Sequence, residues 1–515
     1  MKLTNGFKFF LLVLVLGGAT AYVKFGTNLL DSKPKVASEA KGTTSVEATV
    51  PKIPTTGTDL VLGINTWSGF APIVKINNGL EPNTNSELYQ KYGIKLRIKI
   101  NDVFDNSRQN FTQDNYNLVY CTTDVLPIEM GAGSDMVNAK AVQFLQVDWS
   151  RGGDAIVARK GINTVADFKG KTIAYAVGTA SNSLLIKVLE LNNLTIGDVI
   201  LKKASDGIEA AKFYKAGQVD IAVVWSPDDL DCVDAIPGTK VIVNTKVATH
   251  IIADGILVKE TFLNKNKALL TKFATAWLEE NAKINSSETE LKEAAQAFCT
   301  AFDIKDVNFA VTGLHNVRLT TLGDNKNFFG LNPQYQEITG EQLYSKMSIV
   351  YSDLGLAKSS IAWRSVSNTS IVESVSLFAG QEAEGNATFT PVTAEVKQKA
   401  AISNKQVTIN FTTNSSTLSD DAQATIDKEF VNIAKTFATA RIRIEGNTDA
   451  VGDAGYNKSL SFKRAQAVAN YLSREYRFDS NRFIVIGNGM SKAVNDGISG
   501  SSEAYRRTDF KLVEE

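Results

Sequence analysis

The sequence predicts two α/β lobes followed by a small α+β sandwich with a βαβαβ core. Apolar strand patterns alternate with helical ones from residue 60 to residue 356, the order of a parallel sheet. A polar break over 377–401 follows. Beyond it a strict strand alternation, Arg441-Ile442-Arg443-Ile444-Glu445, lies between two amphipathic helix patterns. A length of 515 residues accommodates about three or four domains.

The first residues read as an export signal. Lys2 and Lys8 precede an apolar run from Phe9 to Val23, and Lys24 follows it. The run is short for a spanning helix and suits a signal-peptide core. Ala19-Thr20-Ala21 is a cleavage candidate, so residues 1–30 are either a signal removed after Ala21 or a retained anchor with its basic end inside. Residues 31–58, rich in Thr, Lys, Pro, Ser and Ala, read as a solvated linker. A long linker is most useful when its near end is fixed, which favours retention. No Cys follows the run, which argues against a lipoprotein. Both readings place the rest of the chain outside the cytoplasm.

Between residues 59 and 376, strands are predicted at Leu60–Ile64, Leu96–Ile100, Asn117–Cys121, Lys171–Tyr175 and Ile221–Trp225, with a helix at Leu184–Leu191. Residues 263–302 and 340–356 read as helical. The segment 377–401 reads as a second linker. In the last domain, residues 402–515, strands are predicted at Val407–Phe411, Arg441–Gly446 and Arg482–Ile486, and helices at Asp420–Phe437 and Ser459–Tyr471.

Composition excludes several functions. The apolar and charged fractions, 43% and 21%, are ordinary for globular chains. Lys plus Arg equals Asp plus Glu, so there is no basic excess for nucleic acid or anionic membranes. Cys121, Cys232 and Cys299 form no CxxC, and the histidines, His250 and His315, sit in no ligand spacing; neither a metal site nor a cofactor is expected. No GxSxG or P-loop appears, so the reading is binding without catalysis.

In the last domain, Asp449 falls at a strand end beside a glycine-bearing turn, and Arg464 shares a helix stripe with Leu460 and Val468. A guanidinium on an apolar stripe needs a partner. From spacing alone two readings stand: an Asp449–Arg464 salt bridge, or a frame for a small zwitterion, the carboxylate taking an ammonium and the guanidinium a carboxylate. The run Thr448-Asp449…Gly452…Asn457…Leu460-Ser461…Arg464-Ala465…Val468…Tyr471-Leu472, with Gly487-Asn488-Gly489 and Arg506-Arg507, resembles the OmpA-like peptidoglycan-binding domains. The resemblance implies that Asp449 and Arg464 hold the diaminopimelate of a peptidoglycan stem peptide, supported by Asn457 and Arg507. Asn447 stands where His or Tyr is usual, and Tyr505 where Asn usually precedes the arginine pair.

In the lobes, Trp67, Gly69, Thr122, Thr123, Thr179, Ser181 and Trp225 lie at or just beyond strand ends, where ligands sit in open α/β sheets. Thr179–Ser183 opens a helix, and its free amides suit an anion or serve as ordinary caps. Arg151 either neutralises that anion or is a loop charge. The pieces Trp67-Ser68-Gly69-Phe70-Ala71-Pro72, Cys121-Thr122-Thr123-Asp124, Ser150-Arg151-Gly152-Gly153-Asp154, Asp167-Phe168-Lys169-Gly170-Lys171 and Trp225-Ser226-Pro227 resemble periplasmic solute-binding proteins of the sulfonate, taurine, nitrate or phosphate type. That resemblance implies the two-lobed, type II-like periplasmic binding protein fold, a small anionic solute, and an ABC permease as partner. The alternative is a membrane-to-wall tether of stator type with the receptor fold as spacer. The apolar run Phe9–Val23 carries no acid, which disfavours a proton-conducting stator.

Overall fold

A computed structural model describes residues 59–515 except 360, 377, 378 and 413; the expected signal and first linker lie outside the described residues. No helix among the described residues is long and apolar enough to cross a membrane. In the lobes the strands are β1 (Asp59–Ile64), β2 (Lys95–Ile100), β3 (Leu118–Thr122), β4 (Ala141–Ser150), β5 (Asp154–Ala158), β6 (Thr172–Ala176), β7 (Ile200–Ala204), β8 (Ile221–Trp225), β9 (Lys240–Asn244), β10 (Ala253–Lys259) and β11 (Val317–Leu319). They form two sheets, β11-β4-β10-β3-β1-β2 and β7-β6-β8-β5-β9.

The predicted parallel order holds for β1 with β2 and β3, and for β6 with β7 and β8. It fails for β4, β5 and β10, which run antiparallel to their neighbours. The chain crosses between lobes at 151–153 and returns at 245–252. Each crossing delivers a strand in the opposite sense, so both sheets are mixed. Strand β4 was not legible because Gln143, Gln146 and Asp148 interrupt its apolar run. All three are fully buried. Gln146 N donates to Asn325 Oδ1 at 2.9 Å, and Gln143 Oε1 accepts from Thr123 Oγ at 2.9 Å. A strand buried along its whole length and carrying amide side chains matches neither the alternating nor the all-apolar template.

The helices Lys267–Ser286 and Glu288–Ala301 cover the first sheet. Their Trp277, Phe273 and Phe298 are buried, and Trp277 meets Phe70 edge-on at 6.3 Å between ring centroids. The second lobe centres on Phe168, Ile173, Leu184 and Val223.

The last domain has strands β12 (Lys405–Val407), β13 (Arg441–Asn447), β14 (Phe483–Gly489) and β15 (Thr508–Val513), in sheet order β12-β15-β13-β14. The core is βαβαβ with a fourth strand, β15, inserted between β12 and β13; the alternation Phe510-Lys511-Leu512 carried its signal. Strand β12 pairs with β15 over Lys405–Val407 and stops short of Ile409, which nevertheless stays buried. The helical stretch 420–436 contains a wider π turn at Asp427–Val431 that turns Phe430 onto Phe510, 4.0 Å between centroids.

The helix Ala454–Tyr476 lies on β13 and β14 at unusually close range. A Cβ on Gly446 would lie 2.1 Å from the Ser461 carbonyl oxygen, and one on Gly487 would lie 2.5 Å from the Phe462 nitrogen. Backbone atoms cannot yield as a side-chain tip would. Gly446→Ala is therefore expected to lower the stability of this domain by about 1–3 kcal/mol. Calorimetric unfolding checks it, and an unchanged transition would show that the helix can shift outward freely.

The segment 377–401 differs from a solvated connection. Gln381 is buried, donates to the Leu278 carbonyl at 2.8 Å and accepts from Leu322 N. Glu384 N donates to Asp324, Phe389 N donates to Asp479, and Ala401 bridges to Val513. The last domain also bonds directly to the lobes: His250 N donates to the Thr436 carbonyl, Thr439 to the Lys246 carbonyl, and Asn404 N to Asn192.

Candidate functional sites

The first site is the crevice between the lobes. Trp67 follows β1, and its Nε1 donates to Asp148 Oδ2 at 3.3 Å. Gly69 has no room for a side chain, since a Cβ there would lie 2.0 Å from that same oxygen. The Trp67 ring lies against Gly153 in the crossover. Across the crevice, Trp225 packs on Gly207 and its Nε1 donates to Ser181 Oγ at 3.1 Å. Thr179 caps its own helix: its hydroxyl donates to the Ala176 carbonyl and accepts from Ser181 N. The lobes are closed on one another. Ser183 of the second lobe bonds Asp124 and Tyr351 of the first, and Asn316 donates to Ser226 Oγ at 3.1 Å.

The structure thus gathers Trp67, Gly69, Thr179, Ser181 and Trp225 around one crevice. Thr122 is buried at the end of β3, and Thr123 is turned toward Gln143 on β4. Arg151 departs from its expected role. Its Nη2 is paired with Glu384 at 2.7 Å, and it lines a separate cavity of about 110 Å³ with Trp149, His250, Tyr335 and Ala438. An arginine already engaged by a carboxylate there is not the counter-ion of a solute in the crevice.

Sequence reasoning missed the strongest chemistry of the crevice, which is acidic. Asp124, Asp148, Asp154 and Asp254 are all buried, and none forms an ion pair with a cationic side chain among the described residues. Strand register sets Thr122, Asp254 and Asp148 in a row across β3, β10 and β4. Burial pushes Asp124 and Asp154 up to about 7, against hydrogen bonds from Ser183 and Ser150 that pull the other way. Burial, then the charge of Asp148 directly opposite, holds Asp254 well above the carboxylate range. The available signal was a lone Asp inside an apolar run, in Phe144–Trp149 and in Ile251–Val258. Among the described residues no group of three or more His, Cys, Asp or Glu is placed to hold a metal ion.

The second site lies in the last domain. Asp449 follows β13. Its Oδ2 accepts from Arg506 Nη1 at 2.8 Å, Ser501 Oγ at 3.3 Å and Ser502 N at 3.4 Å. Burial raises its carboxyl, but Arg506 and the amides of Val451 and Ser502 outweigh this and hold it below the usual range. Arg464 is half-buried. Its Nε donates to the Ser415 carbonyl at 3.0 Å, and its guanidinium lies 4.9 Å from the Phe411 ring centre. Burial lowers it, with Tyr456 opposing. Of the two readings left open by spacing, the direct Asp449–Arg464 salt bridge is not formed; Asp449 is paired with Arg506 instead. Asn457 Nδ2 donates to the Val451 carbonyl at 2.8 Å and so shapes the loop after Asp449. Arg507 turns away, its Nε on Asp509 at 3.0 Å and its Nη1 on the Ala504 carbonyl. Asn447 bridges Asn488 and Asp509, and Tyr505 donates to Asp496.

Fold and sites together define a two-lobed binding module continued by an OmpA-type domain. Residues 410–507 match the OmpA family and residues 152–280 match the family described as NMT1/THI5 like; the chain carries both kinds of domain. Among curated proteins it is similar to outer membrane porin F of Pseudomonas aeruginosa, with 31% identity over 102 residues, 20% of this chain and 29% of the porin. It is also similar to the peptidoglycan-associated lipoprotein of Rhizobium meliloti, with 38% identity over 99 residues, 19% of this chain and 56% of the lipoprotein. The chain thus spans less than two thirds of either relative. Similar solved structures are mostly binding proteins. One is the periplasmic aliphatic sulphonate binding protein SsuA from Escherichia coli, with 16% identity, 60% of this chain, 97% of that one and a TM-score of 0.48. An enzyme, the desulfurization enzyme DSZB, is also similar, with 12% identity, 61% of this chain, 97% of that one and a TM-score of 0.43.

Proposed function

We propose that this is a cell-envelope binding protein held at the wall. Its C-terminal domain grips a peptidoglycan stem peptide through Asp449 and Arg464, and its two lobes close over a small solute without chemistry on it. The observation that carries the reading is the pairing, in one chain, of a closed two-lobed crevice with an OmpA-family domain in which the charge of Asp449 bears on Arg464 without pairing with it directly. In the stem peptide the diaminopimelate ammonium would take Asp449, displacing Arg506, and its carboxylate would take the Arg464 fork. Delivery to an ABC permease completes the reading. Support for binding over catalysis is that the crevice offers carboxyls, hydroxyls and indoles but no activated nucleophile.

The test uses the full chain. It should co-sediment with purified sacculi and be released by free diaminopimelate, and thermal-shift screening against small solutes should raise its melting temperature. Sedimentation without any solute response would instead support the spacer reading. Failure to sediment would remove the wall from the proposal.

A further inference from the structure

We propose that the crevice takes an organic ammonium, bound between its carboxylates and its two indoles. This rests on the receptor reading above and gives the charge class of the solute. Four aspartates reach the crevice from four elements: Asp124 beyond β3, Asp148 on β4, Asp154 on β5 and Asp254 on β10. Fully buried carboxylates are rare unless a cation pairs with them. Here no Lys, Arg or His among the described residues lies in ion-pair range of any of the four. Register places Asp148 directly opposite Asp254, an arrangement that repels when both are charged.

A second observation points to a missing donor. Asp124 Oδ1 and Asp148 Oδ1 are buried acceptors with no hydrogen-bond partner. Each is the free oxygen of a carboxyl whose other oxygen is already fixed, by Ser183 and by Trp67. A buried acceptor left unmade costs about 1–3 kcal/mol, so two in one crevice call for a donor that the chain does not supply.

The chemistry of the walls selects the kind of cation. No three of the acidic, His or Cys side chains among the described residues converge closely enough for a metal ion. The remaining walls are indoles. Trp67 lies against Gly153 and bonds Asp148, while Trp225 is the cross-strand partner of Asp154. Each indole therefore sits beside a carboxyl. An aromatic face next to a carboxylate recognises an ammonium, by quadrupole attraction and by charge. An anion would meet four acids, and Arg151 is engaged by Glu384 in another cavity.

Binding should also move protons. Asp148 and Asp254 face one another with both carboxyls held above the ordinary range by burial, and an arriving ammonium takes over the neutralising role of their protons.

The experiment is calorimetry of the full chain near neutral pH, in two buffers of different ionisation enthalpy. The probes are tetramethylammonium, ethylammonium and 1,4-diaminobutane, with methanesulfonate, phosphate and acetate as matched anions. At least one ammonium probe should bind, with a heat that depends on the buffer because protons are released, and no anion should. Asp254→Asn and Asp148→Asn should each weaken that binding at least tenfold. Trp67→Leu, a change at a partly exposed ring, should weaken it while leaving circular dichroism unchanged, which guards against a folding artefact in the buried aspartates. Binding of an anion without an ammonium would overturn the charge class and leave the receptor reading standing. Silence to both series would overturn the two together.

Discussion

Asp449→Ala should reduce binding to sacculi by roughly ten- to a hundredfold, because it removes a charge-assisted hydrogen bond of about 1.5–3 kcal/mol from the ligand's ammonium. It also strands Arg506, which donates to Asp449 at 2.8 Å. Arg464→Ala should lose a similar amount at the other end of the ligand. Arg464→Lys should fall between, since a point charge replaces a planar fork. Arg507→Ala should act less, because that side chain is occupied by Asp509 and the Ala504 carbonyl. The informative control is Arg506→Ala. With Arg506 present, the Asp449 carboxyl stays ionised below the usual carboxylate range, so binding persists as pH falls. Without it, Asp449 takes up a proton at higher pH and binding should fail sooner on acidification. Co-sedimentation across pH measures all five variants. Wild-type retention by both Asp449→Ala and Arg464→Ala would sink the site.

The second large effect is an inverted pH dependence of stability. Asp124 and Asp154 titrate near 7 in the folded chain, and Asp254 well above its ordinary range, whereas unfolded aspartates titrate near about 4. The folded state therefore binds more protons than the unfolded state between these limits. Stability from these groups is full below the unfolded value and is lost as pH rises through about 7. A shift of this size is on the order of a few kcal/mol per fully buried group. The ligand-free protein should melt several degrees higher near about pH 5.5 than near about pH 8. Asp254→Asn removes one of the raised carboxyls, so its melting temperature should change less over the same range. Equal slopes for the two proteins would show that the crevice acids are not the source. An ammonium ligand should flatten the wild-type slope as well, by neutralising the carboxylates that repel at high pH.

Much of the architecture was legible. The strand β8 and the alternating sequence of β13 appear where the pattern places them. The helix Ala454–Tyr476 extends beyond its predicted span at both ends, since the Asp453 cap and the polar last turn carry no apolar signal. The long strand β4 was hidden for the opposite reason: buried Gln143, Gln146 and Asp148 break its apolar run, and a partner such as Thr123 on Gln143 lies on another strand.

The sites divide along the same line. Sequence was sufficient for what depends on neighbours in the chain. It determined the turn after Asp449, the helix stripe that carries Arg464, and the indoles at strand ends. It could not decide which arginine meets Asp449. Arg506 and Arg507 are adjacent, and only the turn entering β15 sends the first to Asp449 and the second to Asp509. Nor could it decide the charge of the crevice. Asp148 and Asp254 are more than a hundred residues apart, and strand register alone sets them face to face. Arg151 stands only three residues before Asp154, yet it points into a different cavity, beside Glu384. Periodicity assigns a residue to a face of its own element. The sign of a binding site depends on which faces meet, and that is a property of the tertiary structure.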